Sequence, residues 1–220
     1  MRILVYVEGP SDCTALRTIF KDLIRQAGES RVGLSFISLS NKAQLIRKVG
    51  GRAASHLKAN PDDWVFAMPD LYPLDLSNGP GKHKTKEELR AFLQRDFDNE
   101  ASKVGMSTAK RAHYRPHCFK YDLEALLLAD PSALRGRLET SDKLESQWRQ
   151  PVEDQNDSMP PKVIVDRLFK KYKSRRYNPV VDASAILARA SMDTIRKACG
   201  QCFGPLVDEL SVLAAGRSLS

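Results

Sequence analysis

Two short runs, apolar on both faces, constrain this chain more than any other feature. Ile3 to Val7 in "RILVYVEGPSD" and Trp64 to Met68 in "WVFAMPDLYPLD" carry no charged residue. A strand that is apolar on both faces belongs in a sheet covered on both sides, which predicts parallel strands joined by crossover helices. Each run also ends at an acid: Glu8 follows Val7 directly, and Asp70 follows Pro69.

The segments around these runs fit that expectation. Ser11 or Asp12 can cap a helix whose apolar positions Leu16, Ile19, Phe20, Leu23 and Ile24 recur at helical spacing, with Gly28 as its end. Leu34 to Leu39 predicts a second strand, and Ser40 or Asn41 caps a helix that Asn60 and Pro61 close. Behind the turn-rich stretch from Pro69 to Gly81, Leu89, Phe92, Leu93 and Phe97 predict another helix. A fourth strand fits "AHYRPHCF", where Pro116 places it at an edge or a bend, and "KYDLEALLLADPSAL" predicts a short helix closed before Pro131. This alternation predicts an α/β domain over residues 1–138, with a mainly parallel sheet flanked by helices. Residues 139–161 lack periodicity and are expected to form an exposed linker, and residues 162–220 a helical extension packed on the domain.

The acids matter because ligands of open parallel sheets bind beyond the carboxyl ends of the strands. Glu8 and Asp70 would come to the same edge. Neighbouring carboxylates are costly to keep ionised unless a cation lies between them, and an all-oxygen site suits Mg²⁺ or Mn²⁺. Their ordinary roles would be a helix-start acid for Glu8 and a turn residue for Asp70. Lys120, Asp122 and Glu124 follow the fourth strand, so at least one of them can reach the same edge, Glu124 foremost; capping is the ordinary alternative for Asp122 and surface solvation for Lys120.

Charge narrows the partners. Thirty-five Lys and Arg against 27 Asp and Glu give a net charge of +8, which favours encounter with a polyanion such as nucleic acid. Lys82 and Lys84 flank the loop after Asp70. Lys170, Lys171, Lys173, Arg175 and Arg176 form the densest basic run, interleaved with Tyr172 and Tyr177, a mixture able to contact phosphates and stack on bases. His83 is expected to be an exposed loop histidine. No P-loop or Ser-His-Asp arrangement points to ATP-driven or acyl-transfer chemistry. No apolar run is long enough to cross a bilayer or act as a signal peptide, so the expected location is cytoplasmic. Cys199 and Cys202 have C-x-x-C spacing but lack a second ligand pair, and are expected as reduced cysteines packed at a helix junction.

A strand ending in Glu-Gly, "VYVEGPSD", followed some sixty residues later by one ending in Asp, "VFAMPDLYPLD", resembles the Toprim domain of topoisomerases, bacterial primases and overcoming-lysogenization-defect nucleases. The segments "HYRPHCFKYDLEALLLADPSAL" and "KVIVDRLFKKYKSRRYNPVVDASAILARASMDTIRKACGQCF" resemble a narrower group, Toprim-like bacterial proteins of unknown function. The resemblance implies a Rossmann-like fold and a Mg²⁺- or Mn²⁺-dependent phosphodiesterase, most simply a nuclease on DNA or RNA. It implies metal-binding and catalytic roles for Glu8 and Asp70, and Glu124 matches the acid-rich motif of the narrower group; Asp75, a water or Glu124 could supply a further ligand to the metal, and Lys120 is counted with the basic residues expected on nucleic acid. It also implies a bacterial anti-phage defence effector working with an ABC-type ATPase. The chain departs from the Toprim pattern at one point: where an Asp-x-Asp pair would supply a second carboxylate, it carries Tyr72. That departure leaves an alternative, a catalytically silent interaction module of the same system.

Overall fold

The computed structural model describes residues 1–72, 83–155 and 158–219. Strands β1 (Arg2–Val7), β2 (Gly33–Ser38), β3 (Trp64–Met68) and β4 (Tyr114–Pro116) form one sheet in the order β2-β1-β3-β4, and every pairing is parallel. The expected α/β class holds. β4 is an edge strand, where Pro116 can sit without removing a ladder hydrogen bond.

The strand residues divide between two cores by alternation. Ile3, Val5, Val7, Phe66 and Met68 face a core that also takes helices α1 (Pro10–Ile19) and α2 (Lys21–Glu29). Tyr6, Val65 and Ala67 face the opposite core, built with α3 (Lys42–Ala59) and α4 (Lys86–Lys103). Burial on both faces is the reason these runs are uninterruptedly apolar. The single helix expected after β1 is two, meeting at Phe20, whose ring is fully buried against Phe36 and Phe203.

A short α5 (Thr108–Arg111) precedes β4, and α6 (Ala125–Ala129) and α7 (Pro131–Leu138) follow it. The Asp130 side chain accepts from the amides of Ser132 and Ala133, starting α7 where Pro131 ends α6. The rest is helical: α8 (Pro161–Lys173), a π-helical turn Pro179–Ala183, α9 (Ser184–Leu187), α10 (Met192–Ala198) and α11 (Phe203–Ala214).

The described residues of the stretch 139–161 pack in part on the core. Leu144, Trp148 and Val152 are buried in the same core as β1 and α8. Glu153, also buried, accepts from the amides of Gln201, Cys202 and Phe203, so it satisfies the start of α11 from 48 residues away or more. Such a partnership has no periodicity to betray it. All four cysteines are buried and unbridged, with Cys199 and Cys202 at the α10–α11 junction as expected. Among the described residues, no helix is long and apolar enough to cross a membrane.

Candidate active site

The cleft lies where β1, β3 and β4 release the chain. Glu8, Asp12, Asp70, Asp122 and Glu124 all line a cavity of about 240 Å³. Val7 and Met68 pair in register, so Glu8 and Asp70 leave adjacent strands side by side. The Asp70 amide donates to Glu8 Oε1 at 2.9 Å. Beyond β4 the backbone turns sharply at Tyr121, which has φ +82. A bulky residue rarely adopts that left-handed conformation. The turn delivers Asp122 and Glu124 to the cleft.

Helix starts surround the acids. Gly9 begins α1, with the Asp12 carboxylate accepting its amide at 2.8 Å. Asn41 caps α3 by accepting from Gln44 at 3.0 Å. Lys162, in the first turn of α8, donates its amide to Asp122 Oδ2 at 3.3 Å. Gly9, Asn41 and Lys162 all line the cleft, so three helix N-termini add partial positive charge to an acidic pocket.

The electrostatics follow from crowding. Burial pushes Glu8 up to about 7, with the Asp70 amide and the Lys42 charge opposing the rise. Burial lifts Asp70 well above the usual carboxylate range, and the charges of Glu8, Asp12, Asp122 and Glu124 raise it further. Asp122 is pushed up to about 7 by burial and by Glu124. Burial raises Glu124 too, against the Lys162 charge and the Tyr177 hydroxyl. Two lysines bracket the group: Lys162 acts on Asp12, Asp122 and Glu124, and buried Lys42 on Glu8 and Asp70. Burial lowers Lys42 itself to about 8.

The donor set suits a hard divalent cation. Every acidic ligand is an oxygen, and Asp122 Oδ1 is buried without a hydrogen-bond partner. Among the described residues, no three His, Cys, Asp or Glu side chains converge tightly enough to enclose a metal ion. The carboxylates line the cleft instead of closing a cage. Mg²⁺ normally keeps several waters and takes one or two carboxylates together with substrate phosphates, and an open acidic cleft offers that.

The expected acids Glu8, Asp70 and Glu124 therefore come together. Asp12, which the sequence assigns to capping, and Asp122, for which capping is the ordinary alternative, join them. Asp75 and Lys82 lie outside the described residues. Tyr72, at the position of the expected second aspartate, stacks on Tyr121 with ring centroids 4.7 Å apart. His83 is buried, not exposed, with Nε2 at 2.9 Å from the Leu71 carbonyl and 3.3 Å from Lys42 Nζ.

The expected basic residues mostly stand elsewhere. Lys120 donates to Asp154 and Gln201, at 2.7 and 2.6 Å, and exposed Lys84 lies at the start of α4. Lys170 pairs with Asp166 at 2.6 Å, Lys173 with Glu139 at 2.7 Å, and Lys171 donates to the Tyr172 hydroxyl. Arg175 grips Asp182 with both terminal nitrogens. Arg176 is exposed. The missed participants are Asp12, Lys42 and Lys162; Tyr177, expected only with the basic run, lines the cleft as well. For Lys162, the readable signal was its place just after Pro160 and Pro161, at a helix start.

Residues 7–211 match the family described as a domain of unknown function, DUF4276. The chain belongs to that family. The match agrees with the narrower group of unknown function to which the sequence resemblance pointed. This DUF4276 chain is similar to the solved C-terminal region of the Xanthomonas campestris pv. campestris OLD protein, at 15% identity and TM-score 0.48 over 97% of this chain and 95% of that one. It is also similar to the C-terminal region of the Burkholderia pseudomallei OLD protein, at 19% identity and TM-score 0.44 over 95% and 98%. No curated protein matches it.

Proposed function

We propose that this protein is a divalent-metal-dependent phosphodiesterase, acting as a nuclease on DNA or RNA. The observation that carries the reading is the cleft itself, where five carboxylates and three helix N-termini share one small volume. Carboxylates alone would call for a cation, and helix N-termini alone for an anion. Together they suit a cation with a phosphate.

Glu8 and Asp70, which leave adjacent strands side by side, would hold the ion, with Asp122 and Glu124 elsewhere on the cleft wall. A bound Mg²⁺ or Mn²⁺ would polarise a phosphoryl oxygen and lower the pKa of a coordinated water. The N-terminal ends of α1, α3 and α8 add partial positive charge that favours a phosphate in the cleft. The Lys162 ammonium, already close enough to act on three of the acids, meets charge that builds on the substrate. Glu8, pushed up to about 7, can hold or release a proton near neutral pH. The role of anti-phage effector beside an ABC-type ATPase is part of the same proposal, and rests on the Toprim resemblance alone.

The purified protein is expected to cleave plasmid, single-stranded DNA or tRNA when Mg²⁺ or Mn²⁺ is supplied. Cleavage unchanged in Glu8→Gln and Asp70→Asn would reject the site. Absence of cleavage with all three substrates, and with the ATPase supplied, would favour the silent interaction module.

A further inference from the structure

A second cavity adjoins the carboxylate cleft. It measures about 390 Å³ and runs beside α8, sharing Lys162, Tyr177 and Pro179 with the cleft as a common wall. Arg167, Lys170 and Arg176 line it, and Asp166 is its one acid. That acid is already engaged, since it pairs with Lys170 at 2.6 Å and accepts the Tyr177 amide at 3.1 Å. Lys162, Arg167 and Arg176 are left exposed to face a ligand.

Val163 and Pro179 are apolar members of an otherwise mostly basic lining. Val163 lines the groove at 38% exposure, and the turn that carries Pro179 goes on to Val180 and Val181, at 59% and 55%. Among the described residues, these three and Met1 are the exposed large hydrophobics. Cations beside bare apolar side chains match a ligand that offers phosphates and uncovered base faces. A duplex stacks its bases inside, so these apolar side chains would have nothing to meet.

We propose that single-stranded nucleic acid follows this groove into the cleft, with Arg167 and Arg176 on its phosphates and Val163, Val180 and Val181 against its bases. The inference rests on the phosphodiesterase reading and names its substrate class and path. It also redistributes the basic run: Arg176 belongs to the track, whereas Lys173 and Arg175 serve ion pairs that hold the fold.

The test is fluorescence anisotropy with the full chain in EDTA, using labelled oligothymidylate and a duplex of the same length. The wild type should bind the single strand more tightly. The double variant Arg167→Gln/Arg176→Gln should weaken that binding about tenfold and lower the slope of log affinity against log salt by roughly 1.4. Val180→Ser/Val181→Ser should weaken single-strand binding and spare any duplex binding. The control Lys171→Gln should change little. Equal affinity for duplex, an unaffected Arg167/Arg176 variant, or binding to anionic phospholipid vesicles with none to the oligonucleotide would overturn the proposal. Binding is read in EDTA and cleavage separately with Mg²⁺ or Mn²⁺, so loss of the nuclease reading would show as absent cleavage with this binding intact, and loss of the track as cleavage without it.

Discussion

The amide of Asp70 donates to the Glu8 carboxylate across 2.9 Å, so the acid that ends β1 is held by the backbone leaving β3. The hydrogen bond fixes Glu8 Oε1, and the Lys42 backbone amide adds a second hydrogen bond to the same carboxylate. Gln at position 8 could still accept that hydrogen bond, but could neither carry charge nor exchange a proton. Glu8→Gln should therefore reduce metal-dependent cleavage by roughly 100-fold or more. It should leave the metal-free melting temperature equal or higher, because one member of a repelling group is gone. Wild-type cleavage rates, or a variant that fails to fold, would contradict this.

Proton linkage gives a test that needs no substrate. Glu8 and Asp122 both titrate near 7 in the folded protein, above their ordinary 4.5 and 3.8. Folding then takes up protons between those values and about 7. The stabilisation is complete below the ordinary carboxylate range and is lost as pH rises through about 7. Lys42, lowered to about 8, is charged in both states across most of this window and contributes little there. In EDTA the protein should melt higher at about pH 5.5 than at about pH 8, by on the order of 2 kcal/mol. Mn²⁺ should recover more stability at the higher pH. A melting temperature that rises steadily over this range in EDTA would count against the crowded cluster.

Much of the fold was legible because buried parallel strands advertise themselves. Trp64 to Met68 forms β3 over the full expected span, and Asn41 caps α3 as its position suggested. Glu8 and Asp70 were legible for the same reason, since a charge at the end of an apolar run stands out. Asp12 was not, because an acid near a helix start has a sufficient local role, and the same role competed with the cleft at Asp122. Asp12 fills that role with the Gly9 amide and still faces the cleft. Glu153 and Asp182 were invisible for a different reason: their partners are residues distant in sequence or brought in by irregular turns, which follow no spacing rule.

Tyr72 occupies the place of an expected carboxylate, and its ring lies nearly parallel to Tyr121, at 9°. Stacking of that kind contributes about 0.5–1.5 kcal/mol beyond burial. It also braces the left-handed turn that aims Asp122. Tyr72→Asp should lower the metal-free melting temperature, through loss of the stack and addition of another acid to the cluster. It should tighten Mn²⁺ binding by titration calorimetry. If affinity stays unchanged or weakens, position 72 lies outside the reach of the ion, and bracing the turn is its whole task.

Asp182 anchors the π-helical turn whose Pro179 and Ala183 line the cleft. Its side chain is fully buried and accepts from Arg137 at 2.6 Å, from both terminal nitrogens of Arg175 at 2.7 and 2.8 Å, and from the Asn178 amide at 2.9 Å. Burial alone would raise its pKa, but Arg175, the Asn178 amide and Arg137 outweigh it and pull the carboxyl down to about 2. The stabilisation is therefore complete above the ordinary 3.8 and lost as pH falls toward 2. Asp182→Asn leaves two guanidinium groups without their counter-charge, and should cost about 3–5 kcal/mol near neutral pH. Arg175→Gln should cost less, because Arg137 remains. Urea unfolding measured across pH should show the gap between wild type and Asp182→Asn narrowing below about pH 4, as the wild-type carboxylate protonates. A gap that stays constant down to acid pH would mean that the side chain acts by shape and hydrogen bonding alone, and not as the charge that holds this wall of the cleft.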